Sequence, residues 1–273
     1  MLRYSGLVFF LILESICMYL AVQNNKRQKD IYINSANTYV GWFSEQRDDI
    51  TKYFQLTTIA DSLAAENARL YSKVGNTAYS GLIQRDSMLV KDSLAQVIQQ
   101  YSFISAAVIN NSVAQYNNYL TLNRGSSQGI QVGMGVISAN GVVGVVRSVS
   151  PHFALVMSAL HQQTKISASI KRNNFFGSLV WKQGTDTQHL ILEAIPKHAD
   201  LLQGDTIVTS GYSNIFPKGI KVGRLEDFSV EGGSNFYKGN VRLFEDFSRI
   251  RYVYVVNNLF SKEQENLENQ GEK

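Results

Sequence analysis

Cysteine is nearly absent, Cys17 being the only one. A single thiol excludes an intramolecular disulfide and a cysteine-based metal cluster. It lies in an apolar run beside Ile16 and close to Glu14, where a lipid-attachment site would need small residues. A disulfide-free chain fits cytoplasm and periplasm alike, so the compartment stays undecided. Charge is scarce as well. Charged residues make up 18% of the chain, too few for a disordered polyelectrolyte. The formal net charge of +4 is spread without a dense basic run, which argues against nucleic acid as a partner and is compatible with an acidic lipid or cell-wall surface.

The usual signatures of catalysis are missing too. None of His152, His161, His189 and His198 belongs to a His-Glu-x-x-His pattern or another ligand pair at helical spacing. His189 and His198 lie near Glu193, Asp200 and Asp205, which leaves a metal site open, although exposed histidines at strand ends are the simpler expectation. Ser210, in Thr209-Ser210-Gly211, loosely resembles a protease nucleophile, but neither Gly-x-Ser-x-Gly nor Gly-Asp-Ser-Gly-Gly occurs. Gly125, Gly129, Gly133, Gly135, Gly141 and Gly144 are not followed by the Lys-Ser/Thr and helix of a phosphate loop, so they read as β-turn punctuation. The expectation is a chain without catalytic, cofactor-binding or metal-binding residues, a binding protein rather than an enzyme.

What is present falls into three textures. Leu7 to Val22 is apolar and, extended back to Leu2, reaches the length of about twenty residues needed to span a bilayer. Leu20-Ala21-Val22-Gln23 offers no small-x-small cleavage site, so an uncleaved anchor over 7–23 is expected rather than a signal peptide. Arg3 stands on one side and Lys26, Arg27 and Lys29 on the other; charge alone slightly favours a cytoplasmic body.

Residues 24–100 have a helical texture, with no proline between Ala36 and Gln100. Leu56, Leu63 and Leu70 repeat every seven residues. Placing them at d puts Ala60, Asn67 and Val74 at a, the pattern of a two-stranded coiled coil whose register a buried Asn fixes. The competing reading is an amphipathic helix packed on its own globular domain.

Beyond Tyr101 the period changes. Short runs of Val, Ile, Thr and aromatics punctuated by glycine predict an all-β barrel or sandwich over 101–260. Twelve strands are expected, among them Val142 to Val149 after the hairpin signal Asn140-Gly141, both of whose residues should take positive φ. Phe175 and Phe176 are adjacent, so a strand would send one inward and leave the other for partner contact. Gly129-Ile130-Gln131-Val132-Gly133 returns as Gly219-Ile220-Lys221-Val222-Gly223, which supports two similar small β units. The polar tail, 261–273, is expected to be disordered.

Leu120 to Ile130, Gly133-Met-Gly-Val-Ile137, Asn140 to Val146, Gly204-Asp-Thr-Ile-Val-Thr-Ser-Gly211 and Phe216-Pro-Lys-Gly-Ile-Lys-Val-Gly223 follow in an order that resembles the rod-shape-determining MreC family. The resemblance implies a mainly β fold of two small six-stranded-type β-barrel subdomains, meeting near residue 165, behind a transmembrane helix and a coiled coil. It implies a single-pass protein of the bacterial inner membrane with a cytoplasmic N-terminus at 1–6 and a periplasmic body. The implied role is a scaffold of the cell-elongation complex, self-associating and linking MreB and MreD to RodA and a penicillin-binding transpeptidase. On that view Glu14, costly inside a bilayer, would meet a polar group on a partner helix of MreD or RodA. The rival class is a periplasmic adaptor of an export system, which needs a hairpin of two comparable helices; here the second helical stretch, Leu82 to Gln100, is short.

Overall fold

The computed structural model describes residues 5–24, 56–73, 99–182, 186–230 and 233–271. It divides into two compact units, Met1–Asp61 and Ser62–Lys273. In the first, α1 (Ser5–Asn24) is a 20-residue helix with Glu14 between two apolar halves. No helix among the described residues is long and apolar enough to cross a membrane. Most of the expected stalk, including Val74, lies outside the described residues; what is described of it is a helix, α2, over 56–73.

Ser62–Lys273 contains two closed six-stranded barrels, all of whose strand pairs are antiparallel. Barrel 1 consists of β1 (Tyr101–Asn111), β2 (Asn117–Leu122), β3 (Gly135–Ile137), β4 (Val142–Val149), β5 (Ala154–His161) and the last strand, β12 (Tyr252–Asn258). Barrel 2 consists of β6 (Lys165–Ile170), β7 (Phe176–Val180), β8 (His189–Pro196), β9 (Thr206–Thr209), β10 (Lys221–Val230) and β11 (Phe236–Leu243). All twelve expected strands are present, and the barrels meet between His161 and Lys165. Alternation builds each wall: Ile166, Ala168 and Ile170 are buried inside barrel 2 while Lys165 and Ser167 of the same strand point out.

The chain enters barrel 1, leaves to build barrel 2, and returns to close barrel 1 with β12. Counted from β12, barrel 1 has the ring order first-second-third-sixth-fifth-fourth, and barrel 2 counted from β6 has the same. The equivalence reaches single bonds. Ahead of β3, Gly133 (φ 90) donates to Val146 O at 2.9 Å, and Val146 N–H donates to Met134 O at 2.8 Å. Ahead of β9, Gly204 (φ 92) donates to Leu225 O at 2.8 Å, and Leu225 N–H donates to Asp205 O at 2.9 Å. The sequence echo is therefore not the structural repeat: Gly129–Gly133 precedes β3, whereas Gly219–Gly223 follows β9 and runs into β10.

Asn140-Gly141 also departs from expectation. Neither residue has positive φ. Ser138 Oγ accepts from the N–H groups of Asn140 (3.1 Å) and Gly141 (3.0 Å), which closes a longer, side-chain-capped turn. Glycine is required there by crowding, because a Cβ at Gly141 would stand 2.7 Å from Lys221 O of barrel 2. Gly135 serves the same seam: its absent Cβ would meet the Phe216 ring at 2.6 Å. Phe216 is buried, Asn258 Nδ2 donates to Asn214 O at 3.0 Å, and the Ser138 hydroxyl donates to the buried Glu245 carboxylate in the β11–β12 connection. Burial raises the Glu245 pKa above the usual carboxylate range.

The tail corrects another expectation. Residues Ser261–Gly271 form a helix, α3. Asn258 Oδ1 accepts from Phe260 N–H just ahead of it, and Gln264 bonds Glu268 one turn on. Its run of Glu, Gln, Lys and Leu consists of good helix formers.

Candidate functional site

Two faces of α2 differ in chemistry. Ala64 and Ala68 are buried, and Tyr71 packs on Phe103 and Tyr254 of barrel 1, with ring centroids 5.7 and 5.2 Å away. Ser72 Oγ accepts from Phe103 N–H at 3.2 Å. Small side chains let this face approach the barrel closely. The other face carries Leu56, Ile59, Leu63 and Leu70, all exposed, with Asn67 exposed beside them and Ala60 half-buried. The amphipathic-helix reading thus describes one face of α2, and the heptad set describes another whose leucines are exposed among the described residues.

On barrel 2 the adjacent phenylalanines divide between core and surface, with Phe175 just ahead of β7 and Phe176 its first residue. Phe175 is half-buried against the core and stacks edge-on with His198 at 5.4 Å. Phe176 is 59% exposed and meets the 72% exposed Tyr212 edge-on at 5.3 Å. Tyr212 is carried by the 210–219 loop, which Thr209 holds: its Oγ1 donates to Pro217 O and accepts from Ile220 N–H. Gly211 (φ 80) and Gly219 (φ 91) turn the loop at both ends. One loop therefore plugs the barrel seam with Phe216 and displays Tyr212. A row runs across the outer wall from Phe176 on β7 through Ser169 on β6 and Val208 on β9 to Lys221 on β10, each pair in register.

Below this face Arg172 forks onto Asp205, at 3.0 and 3.1 Å, and reaches Asp200 at 2.8 Å. Burial works against the Asp205 charge, but the guanidinium outweighs it and holds the carboxyl below its usual range. Asp200 and Asp205 are thus tied to Arg172 and not to a histidine. His189 instead bonds Asp186 (2.7 Å) and Glu226 (3.0 Å) through its two ring nitrogens. Partial burial disfavours its charge, yet the two carboxylates together raise its pKa. No metal-binding group of three occurs among the described residues. His161, at the end of β5, is buried: its Nδ1 accepts from Gln163 N–H at 3.0 Å, and its Nε2 bonds the Tyr119 hydroxyl at 3.1 Å. Burial, then Arg147, lower its pKa. Ser210 bonds Ser167 at 2.7 Å, a serine pair in place of a base.

A family model described as rod shape-determining protein MreC, barrel core, matches residues 108–257, from within β1 into β12. The chain belongs to the MreC family. It is 28% identical over 169 residues to the cell shape-determining protein MreC of Listeria monocytogenes, covering 61% of this chain and 56% of that protein. It is 28% identical over 209 residues to that of Bacillus subtilis, covering 70% and 71%. It spans about half the length of the first relatives it matches, 56% of the Listeria protein and 42% of the Haemophilus influenzae one. A solved Listeria MreC superposes with a TM-score of 0.57 at 24% identity, covering 71% of this chain and 91% of that one. A complex between penicillin-binding protein PBP2 and MreC from Helicobacter pylori matches with a TM-score of 0.50 at 17% identity, covering 59% and 99%. At such identities the superpositions show a common fold. The matched span of this chain contains both the seam plug Phe216 and the Phe176–Tyr212 pair.

Proposed function

We propose that this chain is a non-catalytic, membrane-anchored scaffold of the cell-elongation complex that maintains cell shape by joining the MreB cytoskeleton to peptidoglycan synthases. The observation that carries this reading is the family match across two barrels locked at one seam, with an aromatic pair left exposed on the outer wall of barrel 2. The apolar run from Leu7 to Val22 supports an inner-membrane anchor, with the barrels in the periplasm. The Leu56, Leu63 and Leu70 face of α2, exposed among the described residues, supports self-association, with Ala60, Asn67 and Val74 completing the seam. The MreC solved with PBP2 supports a penicillin-binding transpeptidase as the extracytoplasmic partner, met at Phe176 with Phe175 as its packed support. MreD and RodA are the partners that Glu14 would engage in the membrane.

The test is photo-crosslinking in growing cells from probes placed at Glu14, Phe176 and Tyr212. The expected captures are MreD or RodA from Glu14 and the transpeptidase from the other two. A probe at Tyr212 that captures no synthase would sink the scaffold reading of barrel 2, and Glu14→Leu that leaves co-purified partners and rod shape unchanged would sink the role of Glu14.

A further inference from the structure

A cleft of about 500 Å³ lies between the turn ahead of β3, the 210–219 loop, the end of β12 and α3. One buried side chain holds two of its walls. Asn258, 6% exposed, donates from Nδ2 to Asn214 O at 3.0 Å and accepts at Oδ1 from Phe260 N–H at 3.1 Å. It thereby fixes the loop on one side and the start of α3 on the other. The turn ahead of β3 is held by the bond from Gly133 to Val146 O. Walls already set in the free chain lose little by ordering when a ligand enters.

The size falls within the range of ligand sites, but such sites are mostly apolar. This one is lined by Gln131, Asn214, Asn257 and Asn269 together with two carboxylates, Glu265 and Glu268. The four amides and Glu265 have no side-chain hydrogen-bond partner among the described residues. Glu268 accepts from Gln264 at 2.8 Å. No lysine, arginine or histidine lines the cleft, so a phosphate or an acidic segment would meet two carboxylates with nothing to offset its charge. The main-chain donors are already bonded: Gly133 to Val146 O, Met134 to Gln131 O at 3.4 Å, and Ile215 to the Ser213 hydroxyl at 3.1 Å. Recognition therefore falls to side chains and not to main-chain pairing with an added strand. An amide side chain both donates and accepts, which matches a sugar hydroxyl or an acetamido group. Val132, 59% exposed, and Ile215 add an aliphatic patch that suits the C–H face of a sugar ring.

We infer that this cleft binds a neutral saccharide chain of N-acetylated amino sugars. Gln131, Asn214 and Asn257 bond its hydroxyl and acetamido groups, Glu265 accepts from a hydroxyl, and Val132 and Ile215 lie against a ring. The choice of an amino-sugar glycan rests on the reading that places the barrels in the periplasm. It gives the protein a hold on the wall separate from the Phe176–Tyr212 face.

The full chain in lipid nanodiscs is titrated by calorimetry with three probes: chitotetraose, a linear tetramer of N-acetylglucosamine; cellotetraose, its counterpart without acetamido groups; and trilysine, a basic peptide. Chitotetraose should bind, and more tightly than the other two. Asn214→Ala with Asn257→Ala should weaken it roughly tenfold at an unchanged unfolding temperature, because neither side chain has a partner in the free chain. Should that variant fold poorly, Val132→Trp fills the cleft from an exposed position and should abolish binding. Parent-like binding by a folded variant of either kind, or no binding of chitotetraose by the parent chain, overturns the site. Cellotetraose bound as tightly as chitotetraose overturns the amino sugar. Trilysine bound in preference to both sugars, and lost in Glu265→Gln, overturns the saccharide in favour of a basic segment. A Tyr212 probe that captures no synthase while chitotetraose still binds sinks the scaffold reading of barrel 2 and leaves the cleft standing.

Discussion

Barrel 1 and barrel 2 share a ring order and a glycine-initiated bond pair, yet their outer walls are used differently. Barrel 1 has α2 laid against β1 and β12 through Tyr71 and Ser72. On barrel 2 the Tyr212 loop meets the β7–β6–β9 wall at Phe176, where Ser169 and Val208 are buried and both rings stay exposed. Their histidines differ likewise: His161 is buried against Tyr119 in barrel 1, and His189 is held by two carboxylates at the surface of barrel 2. One architecture thus supplies a mount for the helix and a display surface, and the difference lies in which outward residues are covered.

The strongest way to break the comparison is to remove what holds the barrels together. Phe216→Ala leaves a cavity beside Gly135 and should destabilise the Ser62–Lys273 unit by about 3–5 kcal/mol. Equilibrium unfolding in urea measures the loss, and a split into two transitions would show that the barrels have lost their coupling. A smaller effect sharpens the contrast between inner and outer wall. Phe175→Ala should cost roughly 2 kcal/mol, because the ring is only half-buried, whereas Phe176→Ala should stay within about 0.5 kcal/mol and lose partner binding instead. Two equally destabilised variants would mean that Phe176 is a packing residue.

On the α2 side, Asn67→Leu should raise the unfolding temperature of the associated chain modestly while loosening its oligomeric state, since a polar a position exchanges stability for register. Sedimentation of the parent chain and variant measures this, and monomers in both cases would remove the coiled coil. The histidines should give the smallest effects, of opposite sign. The folded-state pKa of His189 is raised, so its contribution is fully present below the unfolded value near 6.5 and fades as pH rises through the folded value. The folded-state pKa of His161 is lowered, so the folded state loses stability as pH falls below the unfolded value. Thermal melts across pH 5 to 8, taken as a range around about 6.5, should show His189→Gln losing an acid-side advantage and His161→Gln being relieved of an acid-side loss.

The strands were legible in the sequence because alternation is local. Ile166, Ala168 and Ile170 declare an inner face within six residues, and Phe175-Phe176 declares a split between core and surface. Gly204 and Gly211 bracket β9 with positive φ. Local rules failed where distant segments meet. Asn140-Gly141 looked like a two-residue hairpin turn, but Ser138 and the backbone of Lys221 decide its shape. The five-residue echo around Gly129 and Gly219 matched letters, while the true repeat pairs Gly133 with Gly204 in segments that share little sequence. Asn258 and Tyr212 carried no signal of their own, one being an ordinary strand asparagine and the other a loop tyrosine.

The sequence by itself determined that twelve strands follow one another beyond Tyr101, the apolar run at 7–22, the heptad leucines and the lack of catalytic motifs, because each depends on neighbours within a few residues. Only the tertiary structure decided that β12 closes the first barrel, that Phe216 plugs the seam, and that Asn258 ties a loop and α3 around one cleft. Those facts depend on register between segments tens of residues apart, and register is set by how whole faces pack, which no single stretch of chain encodes.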